Sequence, residues 1–362
     1  MAIKTVEENR RAFALGLLAE PKLDALLVTN LHNVRYLTGF TGSNGAVLLS
    51  RHKAAILFTD PRYTVQSQQQ VNCPVRIAKG ALTKAILHEI DRAAVRRVGF
   101  EQDHFTVAQF EAFGKGMPVR AQLQPTSGLI ERLRMIKDAG EIERIRASCI
   151  SNSRALDAAL KRLRIGMRES ELAAAIDYQN RKLGAEAPSF DTIVAAGERS
   201  ALPHAHAGPS KIGPGILLID MGAFRDGYAS DMTRMVHLGP ATPKYKRAYR
   251  AVLEAQLAAI DAVKPGVTTS SVDRAARSTL KGYGLDREFI HSTGHGLGLE
   301  IHEIPRIGQK DKTRLEAGMA ITIEPGVYVE GWGGIRIEDT VLVTAGGCEI
   351  LTPTPKTLRE IV

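Results

Sequence analysis

The chain has 362 residues, of which 44% are hydrophobic and 24% charged, with a formal net charge of +9. That length supports two or three domains around a large core, and no stretch of about 18 apolar residues exists to cross a membrane. The positive excess is scattered in short clusters, such as Arg92, Arg96 and Arg97, or Lys244, Lys246, Arg247 and Arg250, with no stacking aromatics interleaved, which argues against nucleic-acid binding.

From the N-terminus, MAIKTVEENRRAF mixes acids with bases and lacks an apolar h-region, so a cytoplasmic protein is expected. Apolar runs at 24–29, 45–50, 53–59 and 98–101 read as strands, and 81–94 has helical spacing. This is the pattern of a small α/β domain over 1–130. Cys73, Cys149 and Cys348 are too widely separated for a CxxC pair or a disulfide framework and read as reduced thiols.

A second domain over 131–362 opens with a long helix, for which Asp138 is the expected N-cap and Glu141 the capping-box partner. Leu156, Leu160 and Leu163 continue its apolar face until Gly166 stops it, and 168–183 form a second helix ending near Gly184. Further helices are expected at 243–263, starting at Pro243, and at 269–282, capped by Thr268 or Thr269. No internal repeat is visible from matching residues. Helices on one face of a curved, largely antiparallel sheet give an α+β domain.

The strands between these helices carry acids in places that otherwise read as buried. Asp220 follows GILLI and Asp231 opens SDMTRMVHL across a turn-rich link, a β-hairpin delivering both carboxylates to one end. Taken alone, these two read equally well as turn residues beside a loop. Glu324 ends the strand AITI, and alternation in GGIRIEDTV puts Arg336, Glu338 and Thr340 on one face, with a structural Arg–Glu pair as the alternative. The same alternation sets Thr233 beside Asp231. HSTGHGLGLEIHE carries His291, His295 and His302, with glycines around the middle one, and ALPHAHAG adds His204 and His206.

Burying several unpaired carboxylates costs several kcal/mol, which a shared multivalent cation would offset. One imidazole and four carboxylates form a hard, oxygen-rich donor set that favours Mn²⁺ or Co²⁺ and tolerates Zn²⁺. Two such ions sharing carboxylates and a hydroxide point to hydrolysis.

At DMG, SDMTR, GHGLGLEIHE, EPGVY and RIED the chain closely resembles the pita-bread metallopeptidases, the family of aminopeptidase P, prolidase and methionine aminopeptidase. NVRYLTGFTGSNG and LFTDPRYTVQSQ resemble the creatinase-like N-terminal domain of its proline-specific branch, so the likeness covers almost the whole chain. The resemblance implies a C-terminal pita-bread domain binding two divalent ions, Mn²⁺ foremost, with Co²⁺ or Zn²⁺ as alternatives. Asp231 and Glu338 would bridge the ions, Asp220 would complete one and His295 with Glu324 the other.

It further implies that Glu324 shuttles the proton from a bridging water to the leaving proline nitrogen, and that His204 and His302 hold the scissile carbonyl or stabilise the intermediate. His291 would line the proline pocket, Arg336 would orient substrate, and Thr233 and Tyr328 would support the ligands. His206 receives no role. The substrate would be a peptide with proline at its second position, cleaved by an Xaa-Pro aminopeptidase, with Xaa-Pro dipeptidase as the alternative and a metal-free binding module or creatinase-like hydrolase more remote. A homodimer is implied, in which segments around 32–36 or 60–63 limit peptide length.

Overall fold

Two units divide the chain, Met1–Arg134 and Met135–Val362. The structure is a computed structural model and describes residues 5–51 and 53–361; Met1 to Lys4 of the charged N-terminal stretch lie outside it. No helix among the described residues is long and apolar enough to cross a membrane.

The first unit is built on a six-stranded mixed sheet, in the order Val75–Ile77, Lys53–Thr59, Gly45–Ser50, Ala25–Val28, Arg97–Glu101, Gln122–Thr126. Ala25–Val28 is buried along its whole length, antiparallel to Gly45–Ser50 and parallel to Arg97–Glu101. Such strands read as unbroken apolar runs because both faces are covered. The helix Leu82–Arg92 packs Ile86 and Ile90 against Leu27, Leu48, Ile56 and Phe58. It ends earlier than the spacing predicts because Ala94 turns left-handed, at φ 52°.

In the second unit the helix Ala139–Leu160 starts at the expected Asp138–Glu141 capping box, worth about 1 kcal/mol. Its end differs from expectation. The amide of Leu163 bonds back to Leu160 in a turn, and that of Gly166 bonds to Ile212, so the chain leaves the helix well before the glycine. Glu169–Lys182, Pro243–Asp261 and Thr269–Gly282 follow as the other helices.

The structure shows the internal repeat that residue matching misses. Gly166 and Gly266, and likewise Gly184 and Gly284, occupy left-handed positions at one constant spacing, before and after the second helix of each pair. Gly166 and Met167 exchange backbone bonds with Ile212 as Gly266 and Val267 do with Leu315, and Glu169 bonds Ser210 as Thr269 bonds Thr313. Few identities mark the correspondence because hydrogen bonds between backbones preserve it.

Each half puts a helix pair on its own sheet. Leu156, Leu172 and Ile176 of the first pair meet Val194, Leu217 and Ile219 on the sheet ordered Arg359–Ile361, Met232–Leu238, Gly215–Met221, Ile193–Ala196. Val252, Ala255, Val272 and Ala276 of the second pair join the core of Ile321, Ile323 and Val341. The last three belong to the sheet ordered Glu303–Ile307, Gly294–Gly296, Ala320–Ile323, Asp339–Val343, Cys348–Ile350. The two arms of the acid-bearing hairpin lie in the first sheet, His295 in the second, and Glu324 and Glu338 border the second.

Candidate metal centre

Gly215–Met221 and Met232–Leu238 pair antiparallel with Asp220 opposite Thr233, and Asp231 immediately precedes the second arm. The link between them turns at Asp226 and Gly227, both left-handed (φ 50° and 78°), as a two-residue hairpin requires. Gly222 beside Asp220 has to be glycine: a Cβ there would lie 2.0 Å from Ser189 Oγ and 2.3 Å from Ser230 O. Gly294 lets the next strand approach equally closely, since its Cβ would fall 1.9 Å from Thr322 O.

That approach brings His295 to the acids. Its Nε2 lies 3.6 Å from Asp231 Oδ2 and 3.5 Å from Glu324 Oε1. Its Nδ1 lies 2.9 Å from Gly296 O, an acceptor, so Nδ1 carries the proton and Nε2 presents a lone pair to the carboxylates. Burial, with His302 adding to it, lowers the His295 pKa to about 4 and keeps the ring neutral. Asp231, His295 and Glu338 offer ligand atoms all within 4.8 Å of one another.

A lone pair facing two carboxylate oxygens is repulsive unless something positive lies among them. Burial first, and then their neighbours' negative charges, push Asp231 and Glu338 well above the ordinary carboxylate range, and burial raises Glu324 as well. Asp220 Oδ1 and Glu338 Oε1 are buried with no hydrogen-bond partner. Orphaned acceptors, a presented imidazole nitrogen and a hard donor set fit divalent cations.

The remaining expected residues surround this cluster. Arg336, 3% exposed, donates from Nη2 to Asp220 Oδ2 at 2.6 Å, from Nε to Thr233 Oγ1 at 3.0 Å, and from Nη1 to Tyr328 Oη at 2.6 Å. Thr233 in turn donates to Glu338 Oε2 at 2.7 Å. Tyr328 Oη lies 2.9 Å from His291 Nε2, whose ring keeps its proton on Nδ1 toward Ser292 O, 2.8 Å away. His204, His206 and His302 are exposed, and the His302 ring stands 4.4 Å from that of His295. All five histidines line one cavity of about 680 Å³ with Asp220, Asp231, Glu324, Arg336 and Glu338.

Two supporting clusters escape sequence reading. Arg234 donates to Glu338 O, to Asp339 Oδ1 at 2.7 Å and to Thr354 O at 2.6 Å, and Lys356 and Gln256 complete the fully buried Asp339. On the other side Glu169, also fully buried, accepts from Ala196 N and Arg199 Nε, while Arg199 Nη2 holds His206 O at 2.7 Å. The partners lie far apart in sequence. Only the charged residue breaking an apolar pattern, as in SDMTR and IED, hints at the first cluster.

Residues 143–345 match metallopeptidase family M24, and residues 10–136 match the creatinase/prolidase N-terminal domain. The chain belongs to metallopeptidase family M24. Its fold is therefore the α+β pita-bread architecture preceded by a creatinase-type domain. Among M24 relatives, an Xaa-Pro dipeptidase of Pyrococcus furiosus is 38% identical over 94% of this chain and 96% of its own. The structure of an Xaa-Pro dipeptidase from Bacillus anthracis superposes with a TM-score of 0.95 at 38% identity, covering 98% of this chain and all of that one. An X-Pro aminopeptidase from Thermotoga maritima superposes at 0.88 with 36% identity, over 94% and 98% of the two chains.

Proposed function

We propose that this M24 peptidase hydrolyses the bond before proline in Xaa-Pro dipeptides. The relatives favour this reading, the alternative at the sequence level, over the aminopeptidase reading that sequence motifs suggested. The single observation that carries it is Arg306. It lies directly opposite His295 across the antiparallel pair, lines the same cavity and is exposed, with no ion pair among the described residues. Directly opposed residues share a sheet face. A guanidinium on the wall of the cavity that His295 also lines suits the carboxylate that a dipeptide carries one residue past the scissile bond.

Asp231 and Glu338 would bridge two ions, Asp220 would complete one set, and His295 with Glu324 the other. Two divalent ions, Mn²⁺ foremost and Co²⁺ or Zn²⁺ otherwise, would supply Lewis acidity and a water acidified to neutral pH. Glu324 carries the proton to the proline nitrogen; its burial raises its affinity for that proton toward the neutral range. His204 and His302 reach the scissile carbonyl from the exposed wall, and His291, neutral through burial and fixed by Tyr328, lines the proline pocket. Arg336 and Thr233 hold Asp220 and Glu338 in place.

A homodimer and a cytoplasmic location belong to the same proposal, and residues 131–362 form its catalytic domain. Hydrolysis of Xaa-Pro compared with Xaa-Pro-Yaa by the metal-loaded protein tests it. Preference for the dipeptide supports it; efficient release of the first residue from the tripeptide, with a poor dipeptide rate, would establish the aminopeptidase instead.

A further inference from the structure

Glu303 and Lys137 form an ion pair that the chemistry above does not use. Lys137 Nζ lies 3.0 Å from Glu303 Oε2, and the two side chains are only 1% and 5% exposed. A lysine so deeply buried is uncommon unless its charge is paired and put to structural use. Lys137 is itself fixed by its backbone, which donates to Gly318 O at 2.9 Å, just ahead of the capped helix Ala139–Leu160.

The other oxygen of Glu303 reaches the loop that carries His302. Its Oε1 accepts from the amide of Glu300 at 3.1 Å. The carboxylate also lies flat against Gly298, where a Cβ would come within 2.7 Å of Oε1 and 2.9 Å of Oε2. Within that loop Gly298 N bonds Glu300 O at 3.0 Å, and Gly298 O accepts from Ala229, two residues before Asp231. The loop's concave side is thus shaped around one carboxylate, and that carboxylate is held by one ammonium. His302 leaves the end of this loop to stand against His295 over the cavity.

We propose that Lys137 and Glu303 are positioning residues that set the shape of the loop 297–302 and so place the His302 imidazole over the scissile bond. Neither is a catalytic residue, since they act through His302. A buried pair suits this task because a charge left without its partner cannot be tolerated there, so the loop has one arrangement that satisfies both. The inference rests on the hydrolytic reading for its kinetic consequence, but the loop geometry stands apart from it.

The test combines Lys137→Met, Glu303→Gln, Gly298→Ala and His302→Ala. In metal-free protein labelled with ¹³C-histidine, His302→Ala assigns the His302 signal; Lys137→Met and Gly298→Ala should each shift or broaden it while the signal of His237, buried in the strand Met232–Leu238, stays in place. In the Mn²⁺-loaded enzyme, Lys137→Met should lower kcat for Xaa-Pro about tenfold or more with little change in metal content, and should add nothing in a His302→Ala background. Glu303→Gln, which preserves side-chain volume, serves where Lys137→Met does not fold. An unmoved His302 signal, or kinetic losses that simply add, would overturn the proposal. Absence of Xaa-Pro turnover in the parent protein would overturn the functional reading alone, because the spectroscopic arm does not depend on turnover.

Discussion

Arg336 donates to Asp220 at 2.6 Å inside a protein interior that leaves the arginine 3% and the aspartate 9% exposed. With Thr233 and Tyr328 also engaged, the guanidinium serves acceptors of the protein itself. Arg336→Met should therefore weaken metal binding, by about 10- to 100-fold as for other groups that orient ligands, when Mn²⁺ is titrated calorimetrically into the chelated protein. Unchanged metal affinity with a raised KM alone would return Arg336 to the substrate-orienting role that the family resemblance implies.

Glu324 combines a place 3.5 Å from His295 Nε2 with a proton affinity raised by burial. Replacing it with Gln keeps its shape and removes both the negative charge and the proton carrier that the proposed mechanism assigns to it. Turnover of Xaa-Pro should fall by about 10²- to 10⁴-fold, measured at saturating Mn²⁺. Near-normal turnover would exclude the role.

The acid cluster also sets how the metal-free protein responds to pH. Folding raises the carboxyl pKa values of Asp231, Glu338 and Glu324, the last from 4.5 to about 8, chiefly through burial. The folded form then holds protons that the unfolded chain releases, so stability is fully present below the unfolded pKa values and is lost as pH rises through the folded ones. The Tm of chelated protein should fall from about pH 6.5 to pH 8, above the range in which the buried, neutral His291 and His295 offset the trend, and Mn²⁺ should raise it more at pH 8, because binding must displace those protons. A chelated protein whose Tm rises across this interval would contradict the cluster's electrostatics.

Arg306 is the residue that would separate dipeptide from longer peptide. Arg306→Ala should raise KM for Xaa-Pro by about 10- to 100-fold, the value of a charge-assisted hydrogen bond, and leave that for Xaa-Pro-Yaa nearly unchanged. Equal losses on both substrates would mean that Arg306 does not read the carboxylate.

Much of this arrangement is legible in the sequence because acids that interrupt apolar strands are conspicuous, and because period-two alternation then aligns Thr233, Arg336, Glu338 and Thr340. The structure puts Thr233 between Arg336 and Glu338, and Thr340 Oγ1 on Asp231 O at 3.0 Å. Capping chemistry likewise marks the start of the long helix at Asp138. Its end at Leu160 is less visible, since the bond from Gly166 to Ile212 that draws the chain away is tertiary. The same is true of the repeat, which is a pattern of backbone bonds, and of Arg234 with Asp339, Glu169 with Arg199 and Lys137 with Glu303, whose partners meet only after folding. Arg306 goes unnoticed because an alternating surface strand ordinarily carries such a charge.

The most direct test of the central claim follows Xaa-Pro hydrolysis while Mn²⁺ is titrated into chelated protein. The two-ion centre predicts no turnover at the start, uptake of about two ions per chain and full activity once both are bound. Turnover that persists under chelation, or a chain that binds Mn²⁺ and leaves Xaa-Pro intact, would contradict it.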